Sequence, residues 1–314
     1  MNDITSKQVT LRTAKGTGFV LCSQETLVLI KNNAIPKGNI FEIAKAAGLL
    51  AAKNTAHLIP HCHPVSIDGM KIDFEYLEEI SADKNKDVST QYGIRINAEA
   101  KSIGRTGIEM ELLTGISVTA LTIYDLLKPV DKDLEIAGIK LHQKTGGKSD
   151  QKRYFNLPPS CAVLVCSDST AEGKREDQSG KIIKEMLDEM KARITGYQIV
   201  PDNKKIIQQK IKEWVKQDVQ FIFTTGGTGL GPRDNTVAAV KEIIERDADG
   251  ITEAMRIHGQ MRTPMAMMSR AVAGSIGHTM IITLPGSSDG ARQSLEAILP
   301  AVFHARKMLK GGGH

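Results

Sequence analysis

Residues 146–160, GGKSDQKRYFNLPPS, divide the chain into two halves whose apolar residues follow different patterns. A Gly pair, a run of charges and a Pro pair do not carry through a helix or an inner strand, so the stretch reads as a boundary with a linker. Before it, apolar and polar residues alternate; after it, apolar residues come in short unbroken runs. A single core does not suit both patterns, and 314 residues are enough for each half to bury its own. The expected organisation is a domain at 1–150, a linker at 151–159 and a domain at 160–314.

In the first half, Asn39 and Glu42 form a capping box ahead of Ile40, Ile43, Ala44 and Ala47, a helix-spaced stripe. The segments Met70–Tyr76 and Ile94–Glu99 alternate as half-buried antiparallel strands do, and the charged SADKNKD between them reads as a solvated hairpin loop. A mostly apolar helix follows over Gly107–Lys128, stopped by Pro129, then another strand near Leu134–Leu141. The pattern predicts an α+β domain, a ferredoxin-like antiparallel sheet with helices. In the second half Ala162–Cys166, Gln198–Val200, Val219–Thr225 and Met280–Leu284 are apolar runs, each followed by polar or Gly-rich residues and helical periodicity. That predicts a three-layer α/β sandwich with a mostly parallel sheet.

Composition narrows the function classes. The start, MNDITSKQVTLRT, is polar, and no segment offers about 20 uninterrupted apolar residues, so a cytoplasmic protein without a membrane partner is expected. Cys22, Cys62, Cys161 and Cys166 lack paired spacing, which favours reduced thiols over zinc or disulfides. A net charge of +5 without a long basic run gives no nucleic-acid footprint.

Asp125 and Lys128 stand three apart near the end of the long helix, so an acid and a base share one face. A surface ion pair worth about 0–1 kcal/mol is the plain alternative. The apolar neighbours Leu112, Leu113, Ile116, Val118, Leu121 and Ile123 favour a pair that borders a pocket. Arg12, Lys37, Lys53, His57, His61, His63, Arg105, Lys144 and Lys148 fall in or beside predicted turns, where they suit phosphate oxygens. His61, Cys62 and His63 point alternately to opposite faces of an extended segment, which disfavours a metal site. Glu109 and Glu111, two apart on a helix, should diverge, one of them serving as a cap or an interface residue.

LIPHCHP at 58–64, GRTGIEME at 104–111, ALTIYDLLKPVDK at 120–132 and KTGGKS at 144–149 together resemble the MoaC-type cyclic pyranopterin monophosphate synthases of molybdenum cofactor biosynthesis. The resemblance covers nearly all of residues 1–150. It implies a cyclised dihydro-GTP as substrate, a pterin bearing a cyclic phosphate as product, and release of pyrophosphate. By the same motifs Asp125 and Lys128 become the catalytic acid–base pair. Arg12, Lys37, His63 and Lys148 orient the substrate or its phosphates, and Cys62, Glu109, Met110 and Glu111 are further substrate contacts. A lysine among these cations should have a lowered pKa. The sequence departs from the family at His61, where an apolar residue is common, and in its longer charged link after Tyr76.

In the second half Phe221–Thr225 runs into Gly226-Gly227-Thr228-Gly229-Leu230-Gly231 and then Asp234-Asn235-Thr236, a strand, a glycine loop and a helix start. Exposed backbone N–H groups and a helix N-terminus make an anion site. The spacing fits neither a P-loop nor a dinucleotide fingerprint. A carboxylate at Asp234 beside a phosphate loop calls for magnesium, and Asp234 is the candidate ligand; equally, Asp234 or Thr236 could simply cap the helix for about 1 kcal/mol. Ser167-Asp168-Ser169, Pro201-Asp202 and Pro285-Gly286-Ser287 also follow predicted strands, and carboxyl ends of parallel strands line one crevice. The run Met261–Met268 reads as deformable core or interface, Trp214 as packing, and Arg233 and Arg270 as phosphate contacts or structural pairs.

VCSDS at 165–169, TTGGTGLGPRD at 224–234, the P-x-A-x-x-S-R stretch at 264–270 and LPGS at 284–287 resemble the MoaB/Mog-type molybdopterin adenylyltransferases. This resemblance, over 160–310, implies AMP transfer from Mg-ATP to the terminal phosphate of molybdopterin, with no tightly bound organic cofactor. Asp202 and Asp234 match the functional carboxylates. Ser167, Asp168, Gly226, Gly227, Thr228, Gly229 and Ser287 would hold pterin or phosphate groups. The expected whole is a bifunctional enzyme and a trimer-based or hexameric homo-oligomer. The alternative for the second half is a non-catalytic pterin-binding or scaffold module, since folds of this kind host both.

Overall fold

Ile94, Ile96, Ala98, Ala100 and Ser102 are buried while the odd-numbered residues from Arg95 to Ile103 are not. This period of two gives the strand one core face. The computed structural model describes residues 1–78, 92–147 and 157–312, and the chain divides into two units, Met1–Asp150 and Gln151–His314. The predicted hairpin loop SADKNKD lies outside the described residues.

The first unit runs β1 (Thr10–Cys22), α1 (Gln24–Lys31), α2 (Ile40–Lys53), α3 (Thr55–Leu58), β2 (Gly69–Leu77), β3 (Tyr92–Gly104), α4 (Glu109–Leu127) and β4 (Glu135–Thr145). Its sheet has the order β2-β3-β1-β4 with every neighbouring pair antiparallel, the predicted ferredoxin-like arrangement. The Asn39 side chain accepts from the N–H groups of Phe41 and Glu42 and so starts α2. Leu112, Ile116, Ala120, Ile123 and Leu127 of α4 are fully buried with the core face of the sheet. Helices α2 and α4 meet at Gly48, where a Cβ would overlap Thr119 Oγ1 and stand 2.9 Å from the Gly115 carbonyl. By length and composition alone α4, the mostly apolar helix expected over Gly107–Lys128, could cross a membrane, yet it is the core helix of this unit. The unpredicted β1 is the second of the sheet's two inner strands.

The second unit continues with β5 (Ser160–Cys166), α5 (Asp168–Ala171), α6 (Ser179–Glu189), β6 (Arg193–Val200), α7 (Lys204–Lys216), β7 (Phe221–Thr225), α8 (Thr236–Lys241), β8 (Arg246–Asp247), α9 (Asp249–Gln260), β9 (Ala273–Ile276), β10 (Thr279–Leu284), α10 (Ser288–Ile298) and α11 (Ala305–Leu309). The strand order is β6-β5-β7-β10-β9-β8; the first four strands are parallel and the last two pair antiparallel. All of β5 is buried, because both sheet faces are covered. Val163 and Val165 pack with Ile183, Met255 and Leu295 on one face, and Ala162 and Leu164 with Ile207, Trp214 and Val240 on the other. Trp214 is thus a packing residue as expected. The methionine run is not core: Met261, Met265, Met267 and Met268 are all more than half exposed.

Candidate functional site

The parallel strands of the second unit end on one side, and the residues that follow them share a cleft of about 580 Å³. Ser167 and Asp168 come from the end of β5, Asp202 from β6, Gly226, Gly227 and Asp234 from the loop after β7, and Ser287 from the turn after β10. Asp168 Oδ1 accepts from the Asp202 N–H at 2.9 Å. Asp202 Oδ1 in turn accepts from Asn235 N–H and from the Thr236 hydroxyl, both at 3.2 Å. The N-terminus of α8 is therefore capped by Asp202 from another strand end, not by Asp234 or Thr236. Asp234 turns its carboxylate back to the glycine loop, where Oδ2 accepts from Gly231 N–H at 2.8 Å. The Arg270 guanidinium donates to the Asp234 carbonyl, a structural pairing.

Gly226 and Gly227 have φ of +92° and +61°, and a Cβ would overlap the Cys166 carbonyl at the first and Asp202 Oδ2 and Thr236 Oγ1 at the second. Only glycine fits such a turn. Thr228 and Gly229 line an adjoining pocket of about 490 Å³ with Met255 and Ser269, and Ser287 borders both spaces. Burial pushes the Asp202 carboxyl above its ordinary range; the donors from Asn235 and Thr236 pull it back, and the charges of Asp168 and Asp234 add to the rise. Among the described residues no three His, Cys, Asp or Glu side chains are grouped to hold a metal by themselves. Magnesium commonly takes only one or two carboxylates and completes its shell with phosphates and water. Asp234, the candidate ligand, lines the cleft with Asp202, so one or two carboxylates face a cation of that kind. Arg175 and Arg233 are the guanidinium groups of the cleft, and neither Arg175 nor the lining residue Asp177 stood out in the sequence.

In the first unit, His61, Cys62, His63, Glu109, Met110 and Glu111 line one cavity of about 330 Å³. Glu109 and Glu111 do not diverge as their spacing suggests, because both lie in the first turn of α4, whose end faces the cavity. Glu111 is only 3% exposed, and Oε2 of both glutamates is buried without a hydrogen-bond partner among the described residues. Burial pushes the Glu111 carboxyl up, and burial together with the Glu111 and Glu109 charges pushes the Cys62 thiol up. Lys144, in β4 rather than a turn, reaches Glu109 Oε1 at 3.0 Å.

Asp125 and Lys128 stand at the other end of α4, about 24 Å from Glu109 at 1.5 Å per residue. Lys128 Nζ lies 2.6 Å from Asp125 Oδ1, and Lys37 Nζ donates to the Asp125 carbonyl at 3.0 Å. Hydrogen bonds from Lys128 and Lys37 hold the Asp125 carboxyl below its usual range. The same bond to Asp125 raises Lys128, opposite to the lowered value expected from the sequence. Its nearest charged partner is a carboxylate, and Lys37, the expected cation beside it, is bound to that same Asp125. The side chains of this pair are more than half exposed in one copy of the chain rather than set in a pocket. Arg12 also departs from expectation: it sits in β1, 7% exposed, donating to the carbonyls of Gly104, Arg105 and Gln8. Lys148 lies outside the described residues. Asn2, Ile4 and Lys7 also line the cavity, and no spacing in the sequence connects them with it.

Residues 1–147 match the MoaC family and residues 162–304 the "Probable molybdopterin binding domain" family. A molybdenum cofactor biosynthesis bifunctional protein of Chlorobaculum tepidum is 40% identical over 314 residues, covering 100% of this chain and 96% of its own. The protein of the same description from Synechococcus elongatus is 36% identical, covering 100% of this chain and 98% of its own. A cyclic pyranopterin monophosphate synthase of Clostridium perfringens is 48% identical over 154 residues, 49% of this chain and 90% of its own. Among solved structures, MoaB from Thermus thermophilus is 40% identical, with a TM-score of 0.46, over 48% of this chain and 96% of its own.

Proposed function

The chain belongs to the bifunctional molybdenum cofactor biosynthesis proteins, and on that premise we propose a reaction for each unit. The first converts cyclised dihydro-GTP to cyclic pyranopterin monophosphate and releases pyrophosphate. The second transfers AMP from ATP to the terminal phosphate of molybdopterin.

For the first unit, the observation that carries the reading is the division of its polar groups along α4. Buried carboxylate oxygens without partners cost about 1–3 kcal/mol each until a ligand donates to them. A guanine-type ring edge presents an N–H and an amino group side by side, and Glu109 and Glu111 offer the matching acceptors. Asp125 and Lys128 are too far along the helix to reach the same molecule within one copy. The active centre therefore forms between two copies, one giving the cavity and the other Asp125, Lys128 and Lys37. Leu121 and Tyr124, apolar and exposed beside the pair, suit such an interface. At the centre, Lys128 Nζ holds the proton to be delivered and Asp125 accepts one. Asp125→Asn and Glu111→Gln should each abolish the reaction, while co-expression of the two variants restores about a quarter of the sites if dimers mix at random. No recovery would place both ends of α4 outside a shared centre.

For the second unit, a phosphate oxygen of molybdopterin attacks the α-phosphorus of ATP, the bond to the β-phosphate oxygen breaks, and pyrophosphate leaves. The protein binds and aligns the two molecules, without a covalent intermediate, through the N–H groups of the glycine loop and the hydroxyls of Ser167 and Ser287. Magnesium entering with ATP would be held by Asp234 and its neighbours Asp168 and Asp202, and would neutralise phosphate charge. Incubation with molybdopterin and Mg-ATP should yield adenylylated pterin by mass spectrometry, and Asp234→Asn should not. Pterin binding without adenylate from the native chain would instead make this unit a binding module.

A further inference from the structure

The first residues of the chain are folded against the cavity of the first unit. Asp3 Oδ1 accepts from Thr5 N–H at 2.8 Å and Ile4 O from Lys7 N–H at 3.1 Å, so the segment holds its own turn. His63 Nε2 lies 2.7 Å from the Asn2 carbonyl oxygen. A carbonyl only accepts, so Nε2 must carry the proton of that bond, and in the neutral ring Nδ1 is then the acceptor. Among the described residues, the lining of the cavity includes the buried Glu111 and the partly buried Glu109, whose other oxygen Lys144 holds, and apart from Lys7 no lysine or arginine. A substrate with a phosphate chain needs fixed positive charge where that chain leaves the acidic floor.

We propose that Asn2–Lys7 is a working wall of the first site: the Asn2 carbonyl positions His63 as its Nε2–H tautomer, and Lys7 binds the phosphorylated end of the substrate at the cavity mouth. This rests on the assignment of the cavity to the substrate of the first reaction. Lys7 touches substrate, whereas Asn2 acts through His63 and is a positioning residue.

The test uses the full chain in three forms: native, Lys7→Gln, and a deletion of residues 2–6. With cyclised dihydro-GTP, Lys7→Gln should raise KM about tenfold and lower kcat far less, with Lys7→Arg recovering most of the loss. Nitrogen-15 NMR of labelled histidine, with the His63 signals identified by their loss in His63→Ala, should show protonated Nε2 and bare Nδ1 in the native chain at pH 8. In the deletion the two nitrogens should move toward an exchanging mixture. An unaltered KM overturns the role of Lys7, and an unaltered tautomer overturns that of Asn2. The NMR arm needs no turnover, so a native chain without synthase activity would refute the reaction assigned above while leaving the positioning role separately decided.

Discussion

The two units assemble their sites in opposite ways. In the second, four parallel strands point the same way, and the residues after β5, β6, β7 and β10 arrive at one cleft within a single copy. In the first, an antiparallel sheet has no common end, and the candidate residues are carried instead by the two ends of α4. Strand direction decides whether a fold gathers its loops at one edge. A unit with alternating strands gathers fewer, which is why the proposed first centre draws on a second copy and the second does not.

The sharpest way to break this comparison is at Gly227. Alanine there would overlap Asp202 Oδ2 and Thr236 Oγ1 at a φ of +61°, displacing both the glycine loop and the cap of α8. Misplacement by about 1 Å can cost about a hundredfold in rate. The adenylyl transfer of Gly227→Ala should fall at least that far, with the synthase reaction unchanged; a parallel fall in both rates would show that the units do not work independently. The next effect is on stability in the first unit. Gly48→Ala forces apart α2 and α4, an overpacking change worth about 1–3 kcal/mol. Heat inactivation of the synthase reaction should begin several degrees lower, while that of the transfer reaction stays where it was.

Much of this architecture was legible because it is local. The alternation at 70–76 and 94–99, the unbroken apolar runs of the second half and the capping residue Asn39 all lie in strands or caps as read. The long strand β1 was not, since two register shifts against β4 and the glycines Gly16 and Gly18 interrupt its alternation. For the same reason the sequence reads Arg12 as a residue in or beside a turn, whereas it lies in β1. The sequence placed Asp202 and Asp234 at one crevice but not what each holds, because Asp202 accepts from the start of α8, 33 residues away. It also paired Lys128 with the right carboxylate and predicted the wrong direction for its pKa. Lys128 meets that carboxylate directly, and Lys37, the cation of the motifs that stands beside it, is held by the same Asp125.

The smallest effect contrasts two partly buried carboxylates, one in each unit. Burial works against ionisation of Asp131, but the N–H groups of Ser23 and Asp133, at 2.8 and 2.9 Å, outweigh it and hold the carboxyl below its ordinary 3.8. A lowered acid adds stability above the unfolded value and loses it as pH falls through the folded one. Asp202 is shifted the other way, chiefly by burial. The folded second unit therefore binds the proton more tightly than the unfolded chain, and loses stability as pH rises from 3.8 through the raised value. Melting curves of both variants between pH 3 and pH 7 test the pair. Asp131→Asn should melt below the native first unit at pH 7, with the gap closing toward pH 3. Asp202→Asn should gain on the native second unit as pH rises, even though its transfer activity is lost, because the asparagine keeps an acceptor for Asn235 and Thr236 without a charge between Asp168 and Asp234. If Asp202→Asn instead melts lower at pH 7 than at pH 4 relative to the native protein, the upward shift of the Asp202 carboxyl, set chiefly by its burial, is wrong.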